Sequence, residues 1–339
     1  MRKLRLPHIF KIPSFATYIG QKKVLTFLVK SIVITLISLC FTHVVIYELG
    51  SISGFVSSDK SADFQISDIY NSIADYRDTR QASQHVTVIA VDDCSRQEVL
   101  DVLELVSEYQ PKVIALDVFF KTPSTDSAQV LNTLSTTPNL VLPRIIRRQA
   151  DGQYQYTNFS FVEKYVDTHY GYVNLNASAL NDVIRDFTPW QITANGDTLF
   201  HIATAMAKIA DPDQYNKLQE RNKGVETIKF SSIDIPIIPY EEILYGNDDE
   251  YLSRNLTNKA VIIGDTIDLH DMYTTPLKGL LPGVLIHAYS LQTILTASYT
   301  DSTPNWLNWL IAIIISILFL LDFFLYLCFL VSHKKRRLG

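Results

Sequence analysis

The sequence predicts an α/β domain with a mixed, mostly parallel sheet, flanked by one transmembrane helix at each end. Short β-branched runs alternate with amphipathic segments of helical period through the middle of the chain. Two long apolar stretches flank that middle part, and basic residues cluster beyond each of them. Alternation of strands and helices is typical of a largely parallel sheet covered by helices on both faces.

The two apolar stretches, residues 24–47 and 306–331, are long enough to cross a bilayer. About 20 helical residues at about 1.5 Å each cover a hydrocarbon core of roughly 30 Å. Trp306 and Trp309 begin the second stretch, and indole rings favour the boundary between membrane and water. We therefore predict two transmembrane helices.

Basic residues near these stretches predict their orientation. Residues 1–23 carry six Lys and Arg, residues 332–339 carry four, and neither tail has an acidic residue. Positively charged tails stay in the cytoplasm, so residues 48–305 are predicted to lie outside it, in the periplasm or the extracellular space. A cleaved signal peptide is the alternative for the first stretch, because Ser51 and Ser53 have the spacing of a cleavage site.

The body of the chain, from Gly50 to Asn305, has 19 basic and 33 acidic residues, a net charge of about −14. Such a surface repels nucleic acid, so we expect no nucleic-acid partner. Cys94 is the single cysteine of this body, whose core must therefore be stable without an internal disulfide. The sequence has no cofactor-binding motif, and no cofactor is expected.

The body is predicted to begin with residues 48–85, which contain an amphipathic stalk at 63–80, and to continue as one domain over residues 86–305. A capping box formed by Ser95 and Glu98 starts its first helix. The predicted strands are residues 86–91, 113–120, 140–143, 171–175, 225–230 and 259–264. The other predicted helices are residues 198–209, 239–245 and 284–297.

Several strings of the body occur in the order found in a known family. VTVIAVDD and PKVIALDVFF are followed by LVLP, GYVNLNASALNDVIRDFTP and KAVIIGDTIDLHDMYTTPLKGLLPGVLIHAYSLQTIL. In this order they resemble the type-2 CHASE domain, the extracellular sensory domain associated with bacterial cyclases and histidine kinases. The last string is the most specific, with a strand ending at Gly264, a loop containing Asp271 and a helix containing His287.

Two features depart from that family. The Trp-Pro-rich turn that commonly follows the first strand is missing, since CSRQEVLD leads directly into the helix. Family members usually continue through several membrane helices into a cytoplasmic cyclase or kinase, whereas here one apolar stretch is followed by HKKRRLG. The resemblance therefore implies a sensory domain without its own effector domain.

Asp92, Asp93 and Asp117 come at or near the carboxyl ends of two predicted strands. Ligands of open α/β sheets bind at that edge, so these acids are candidate ligand-binding residues. The alternative is structural, with Asp93 helping to start the helix and Asp117 bonded to a neighbouring loop.

The loop after the last predicted strand carries Asp265, Asp268, His270 and Asp271, and His287 follows it in sequence. Asp271 and His287 are candidate ligand contacts. Their oxygen and nitrogen atoms are also metal-ligand types, but no metal-binding spacing occurs. A hydrogen-bonded polar loop is therefore favoured over a metal site.

Arg185 and Thr275 complete the candidate set. Arg185 would clamp an anionic ligand or, more ordinarily, pair with Asp182 or Asp186. Thr275 and Pro276 are typical of a turn that directs the acidic loop.

Asp322 lies inside the second apolar stretch, where a carboxylate is costly without a partner. Lys30 in the first stretch lies within about 5 Å of the same depth. We hypothesise a Lys30–Asp322 pair within one chain or across a homodimer. The alternatives are a protonated Asp322 or a basic residue of a partner protein.

These observations favour a membrane-anchored, extracytoplasmic signal-input module without enzymatic activity. It would bind a small molecule or an envelope protein and signal through a membrane partner such as a kinase or cyclase. One alternative is an exported metal-dependent hydrolase, for which no nucleophile–base spacing is present. The other is an envelope scaffold without a ligand.

Overall fold

A computed structural model describes five segments and scattered positions between 306 and 320. The five segments are residues 81–150, 152–177, 183–193, 195–230 and 233–300. The chain divides into two compact units, Ala62–Asp301 and a second unit formed by Met1–Ser61 and Ser302–Gly339.

Most of the membrane-related predictions fall outside the described residues. Residues 24–47, the stalk at 63–80, Lys30 and Asp322 all lie there. The second apolar stretch is helical at its described positions between 306 and 320. Among the residues that are described, none belongs to a helix both long enough and apolar enough to span a bilayer.

The elements are numbered in chain order. The strands are β1 (Gln81–Ala82), β2 (Val86–Ala90), β3 (Val113–Asp117), β4 (Leu140–Arg148), β5 (Tyr154–Thr157), β6 (His169–Tyr172), β7 (Asn176–Ala177), β8 (Ile184–Phe187), β9 (Trp190–Ile192), β10 (Thr198–Phe200), β11 (Glu226–Thr227), β12 (Ile233–Asp234), β13 (Ile237–Pro239), β14 (Ala260–Gly264), β15 (Met272–Thr275) and β16 (Gly279–Pro282). The helices are α1 (Arg96–Glu108), α2 (Ser127–Thr136), α3 (Ile202–Ala210), α4 (Pro212–Arg221), α5 (Tyr240–Tyr245), α6 (Asp249–Leu256) and α7 (Gly283–Leu295).

The central sheet has the order β13-β2-β14-β3-β4-β6, and β5 pairs with the second half of β4. Its pairings are parallel except for the antiparallel pair of β4 and β5. The parallel strands therefore share one carboxyl edge and one amino edge. The predicted α/β class with a mostly parallel sheet is confirmed for this unit.

Side chains of the buried strands alternate between two cores, as period-2 geometry requires. Ala260 and Ile262 of β14 face the core shared with α3, α4 and α7. Val261 and Ile263 face the other core, which α1, α2, α5 and α6 cover. Both faces of the sheet are thus buried, which explains why its strands are continuous apolar runs.

The prediction for the first helix is confirmed in detail. Ser95 Oγ accepts the N–H of Glu98 at 3.3 Å, and Glu98 Oε2 accepts the N–H of Ser95 at 2.8 Å. These reciprocal bonds satisfy two backbone donors that the helix itself leaves free. The buried face of α1 contains Val99, Leu103 and Val106.

The prediction of a central-sheet strand at residues 225–230 is wrong. Only Glu226–Thr227 is a strand, and it pairs with β8 outside the central sheet. The N–H of Lys229 donates to Thr293 Oγ1 of α7 at 3.0 Å. Ile228 and Phe230 are buried in the core beneath α7, so the chain crosses that helix instead of joining the sheet.

The helix predicted at residues 198–209 begins later than expected. Residues Thr198–Phe200 form β10, which pairs with β9 in a hairpin. His201 is in an extended conformation, and its Nδ1 accepts the N–H of Ala203 at 3.3 Å. This cap starts α3 at Ile202. The helices α2, α4 and α6 do not appear in the prediction.

Candidate binding crevice at the carboxyl edge of the sheet

The crevice lies where β2, β14 and β3 end side by side. Ala90 is in register with Gly264, and Gly264 is in register with Asp117. A Cβ atom on Gly264 would lie 2.8 Å from Val284 Cγ2, which is too close for a real side chain. Glycine therefore allows the start of α7 to pack against the end of β14, next to Asp117.

The structure brings Asp117, Asp271 and His287 together at this point. His287 Nε2 lies 4.0 Å from Asp117 Oδ2, and the two side chains are 2% and 11% exposed. The carboxylate of Asp271 accepts hydrogen bonds from the Gly283 N–H and the Tyr273 hydroxyl. The amino end of a helix favours a negative charge, so α7 holds Asp271 at the crevice.

Gly283 is required for this arrangement. A Cβ atom at that position would lie 2.4 Å from Asp271 Oδ2 and 2.8 Å from its Oδ1. A larger residue would displace the carboxylate from the first turn of α7. Asp271 can therefore lie against the first turn of α7 because residue 283 has no side chain.

Burial controls protonation in the crevice. Burial, followed by the negative charge of Asp271, raises the pKa of Asp117 to about 7. Burial also raises the pKa of Asp271. The hydrogen bonds from Tyr273 and Gly283 lower it, but the net shift is upwards. Burial lowers the pKa of His287 to about 3. Near neutral pH the imidazole is uncharged, and the Asp117 carboxyl group exchanges a proton.

A second imidazole, His201, lies against His287 with ring centroids 5.0 Å apart. His201 is fully buried, and burial holds its pKa well below the usual range. Within the described segments, His201 Nε2 and His287 Nδ1 are buried without hydrogen-bond partners. The sequence does not single out His201, because its contact with His287 depends on how α3 packs against α7.

Asp92 and Asp93 have different environments. Asp92 accepts two hydrogen bonds from Thr266, at 2.6 Å from the N–H and 2.7 Å from the hydroxyl. It thereby connects the loop after β2 to the loop after β14. Asp93 is exposed and has a φ of 56°, while Ser95 caps α1. The alternative in which Asp93 starts the helix is therefore not what the structure shows.

In the acidic loop, residues 265–271, carboxylates accept hydrogen bonds from backbone N–H groups of the same loop. Asp265 Oδ1 accepts the N–H groups of Ile267 and Asp268 at 2.8 and 2.9 Å, and Asp268 Oδ1 accepts that of His270 at 2.9 Å. No group of three or more His, Cys, Asp or Glu side chains in the described part of the chain is arranged to hold a metal ion. These contacts agree with a hydrogen-bonded polar loop.

Thr275 and Arg185 lie on strands outside the central sheet, β15 and β8. Thr275 Oγ1 donates to the Gly279 carbonyl at 3.0 Å and closes the turn between β15 and β16. Arg185 is on β8 and is 9% exposed. Its suggested partner Asp182 lies outside the described residues.

A parallel sheet with helices on both faces and a polar crevice at its carboxyl edge is an architecture that binds small molecules in many proteins. The family model described as CHASE2 domain matches residues 55–322, well over half of the chain. The chain therefore belongs to the CHASE2 domain family, a family of extracytoplasmic sensory domains that is not catalytic. Comparisons with curated proteins and with solved structures gave no match. The family membership confirms the resemblance seen in the sequence.

Proposed function

We propose that this chain is the membrane-anchored input module of a signalling system, with its signal received in the crevice around Asp117, Asp271 and His287. The observation that carries the proposal is the path of α7. This helix begins at Gly283 in the crevice and runs to the opposite edge of the sheet. A change at the crevice therefore acts directly on an element that reaches the other side of the body.

The far end of α7 contacts the segment that leads into the body. Ser83 Oγ donates to Gln292 Oε1 at 2.7 Å in a buried hydrogen bond. Ser83 precedes β2, and the residues up to Thr300 follow α7, so both ends of the described body lie at the amino edge. A shift of α7 would therefore displace both the segment that precedes β2 and the segment that follows α7.

Anchoring by residues 24–47 and 306–331 is part of the proposal. Described side chains of the second stretch are exposed although they are large and apolar, as expected of groups in contact with lipid. They are Trp306, Trp309, Leu310, Ile313, Ile314 and Ile317. With both basic tails in the cytoplasm, output would pass to a membrane partner such as a kinase or cyclase.

Hydrogen exchange tests the coupling between crevice and amino edge. The probe is a change from pH 6 to pH 8, because Asp117 titrates near neutral pH. After correction for intrinsic exchange rates, amides of residues 293–300 should change protection several-fold in the natural chain and not in Asp117→Asn. Asp249→Asn, on α6, is the matched control and should keep the response. Equal responses in the natural chain and Asp117→Asn would disprove the coupling.

Reporter fusions test the location of the body. A fusion after Tyr170 should report an extracytoplasmic position, and fusions to either basic tail should report the cytoplasm. A cytoplasmic signal at Tyr170 would overturn the proposed arrangement. Capture of a kinase or cyclase with the full-length chain, lost on removal of residues 332–339, would support output through a partner.

A further inference from the structure

Three buried polar side chains lie where the start of α3 packs against α7. His201 caps α3, and Thr204 is at the third position of that helix, beside the cap. His287 lies on α7, with its ring centre 5.0 Å from that of His201. Within the described residues, His201 Nε2, Thr204 Oγ1 and His287 Nδ1 are buried and have no hydrogen-bond partner. Buried polar atoms in folded proteins almost always have one, so these three atoms point to a shared small ligand.

The cap of α3 determines which nitrogen of His201 carries the proton. His201 Nδ1 accepts the N–H of Ala203 at 3.3 Å, so this nitrogen is unprotonated. Burial holds the pKa of His201 well below the usual range, so the ring is neutral. A neutral imidazole has one donor nitrogen and one acceptor nitrogen. The proton of His201 is therefore on Nε2, which is a hydrogen-bond donor.

Asp117 determines the position of the proton in His287. The Nε2 atom of His287 is 4.0 Å from Asp117 Oδ2, so a proton on Nε2 lies next to the negative charge of the ionised carboxylate. Burial lowers the pKa of His287 to about 3, so this ring is also neutral. Its Nδ1 is then an acceptor. The donor of His201 and the acceptor of His287 are therefore complementary.

Aromatic rings separate this contact from bulk solvent. The ring of His201 packs against Tyr172 of β6 and Phe187 of β8, with ring centres 5.4 and 5.5 Å apart. All three side chains are buried. A ligand enclosed here has to be small, and it has to both accept and donate hydrogen bonds. Water has these properties, and buried waters in proteins typically form about three hydrogen bonds.

We propose that α3 and α7 bind one buried water molecule between His201, Thr204 and His287. The water accepts the Nε2–H of His201, donates to Nδ1 of His287 and bonds the hydroxyl of Thr204. It completes a path of polar contacts from Asp117 in the crevice to the first turn of α3. The signalling role of this path rests on the proposed function, which it deepens, because a change at Asp117 would reach α3 as well as α7.

Nitrogen-15 NMR of the full-length chain, labelled at histidine and held in lipid nanodiscs, tests the proton positions. At pH 8, where Asp117 is ionised, His201 and His287 should both be neutral and protonated at Nε2. Magnetisation from the Nε2–H of His201 should transfer to a water that exchanges slowly with bulk solvent. A proton on Nδ1 of either ring, or no transfer to water, would overturn the proposal.

The variant His201→Asn separates the water contact from the cap. Asparagine is among the best helix caps, so α3 should still begin at Ile202. The shorter side chain removes the Nε2–H donor, so the proton of His287 should redistribute and a measurable Nδ1–H fraction should appear. His85→Asn, at an exposed position, is the matched control and should leave His287 unchanged. An unchanged His287 in both variants would show that no water connects the two rings.

The variant Thr204→Val tests the third contact by the sign of its effect. If Thr204 bonds the water, loss of the hydroxyl should lower the midpoint of thermal unfolding. A buried hydroxyl without a partner costs stability, so a raised midpoint would overturn the proposal. Thr133→Val is the control, because the buried Thr133 hydroxyl donates to Glu104 Oε1 at 2.7 Å, and it should lower the midpoint by a comparable amount.

These readouts do not involve signalling, so the water site and the proposed function fail separately. Wrong proton positions with an intact exchange response of residues 293–300 would overturn the water site and leave the proposed function standing. The expected proton positions without that exchange response would confirm the water site and count against the proposed function.

Discussion

At the end of α7, the buried Glu226 has an arginine beside it, whereas at the start of α7 the buried Asp117 faces an uncharged imidazole and a second acid. Glu226 is 1% exposed and forms two bonds with Arg221, at 2.7 and 3.0 Å. Asp117 lies 4.0 Å from His287, and its pKa is raised to about 7.

This difference separates a buried ion pair from a buried carboxyl group that faces an uncharged imidazole and a second acid. The buried ion pair of Glu226 and Arg221 is held by two hydrogen bonds. A buried carboxyl that titrates near neutral pH changes charge with small changes in its surroundings. The two acids lie near opposite ends of α7.

The largest effect should come from Arg221→Ala. Removing this partner leaves Glu226 buried and uncompensated, which should cost about 3 to 5 kcal/mol in the free energy of unfolding. Chemical denaturation of the purified chain measures the loss. Arg96→Ala is the control, since its pair with Asp126 is about a quarter exposed and should contribute about 1 kcal/mol or less. Equal losses of stability in Arg221→Ala and Arg96→Ala would show that the buried pair contributes no more than the exposed one.

Gly283→Ala should be the next most destabilising change, by about 1 to 3 kcal/mol. Its methyl group would collide with Asp271, which has to leave the first turn of α7. Gly224→Ala is the control, because no atom lies within 4 Å of a Cβ placed there. Thermal unfolding compares the stability of the two variants. If Gly283→Ala is as stable as Gly224→Ala, Asp271 can move to another position without loss of stability.

Asp117→Asn should change how stability depends on pH. The folded carboxyl has a raised pKa near 7, so its contribution is complete at pH values below the unfolded value of 3.8. It is lost as the pH rises towards 7, with a slope of up to about 1.4 kcal/mol per pH unit. The variant lacks this loss, so its stability relative to the natural chain should increase from pH 4 to pH 7.

The lowered pKa of His287 acts in the opposite direction and is common to both proteins. Its contribution is present above pH 6.5 and is lost as the pH falls towards 3. Denaturation curves at pH 4, 5.5, 7 and 8 would separate the two groups. A constant difference between Asp117→Asn and the natural chain would show that Asp117 is not protonated in the fold.

The smallest effect should come from Gln292→Met. This change removes the acceptor for Ser83 with little change in volume and should cost about 1 kcal/mol. Gln97→Met, which removes an exposed bond to Asp101, should cost less than about 0.5 kcal/mol. Hydrogen exchange at residues 83–86 should show the local loosening even if the global stability hardly changes.

Local patterns predict the β2–α1–β3 unit because its signals lie within a few residues of one another. The capping box at Ser95 and the β-branched run of β2 are examples, and both appear in the fold. The crevice depends instead on register. Asp117 and Asp271 meet only because β14 is inserted between β2 and β3, which no short string encodes.

Strand β4 shows a second reason why the sequence predicts only part of the structure. Pro143 suggests that the strand beginning at Leu140 ends there, since proline lacks a donor for the sheet. The strand nevertheless continues to Arg148 and places Arg144 between its neighbours β5 and β6. Pairing with other strands therefore overrides the local signal, and the surroundings of Arg144 cannot be read from its sequence position.

The closeness of both ends of the described body has a mechanical consequence. A force that pulls these two ends apart would load the Ser83–Gln292 bond and the two-residue pairing of β1 with β12 first. Contacts arranged in this way peel apart one after another, so they yield at low force. The sheet and the crevice would stay folded while these contacts separate, so the first opening under force would be local to the amino edge.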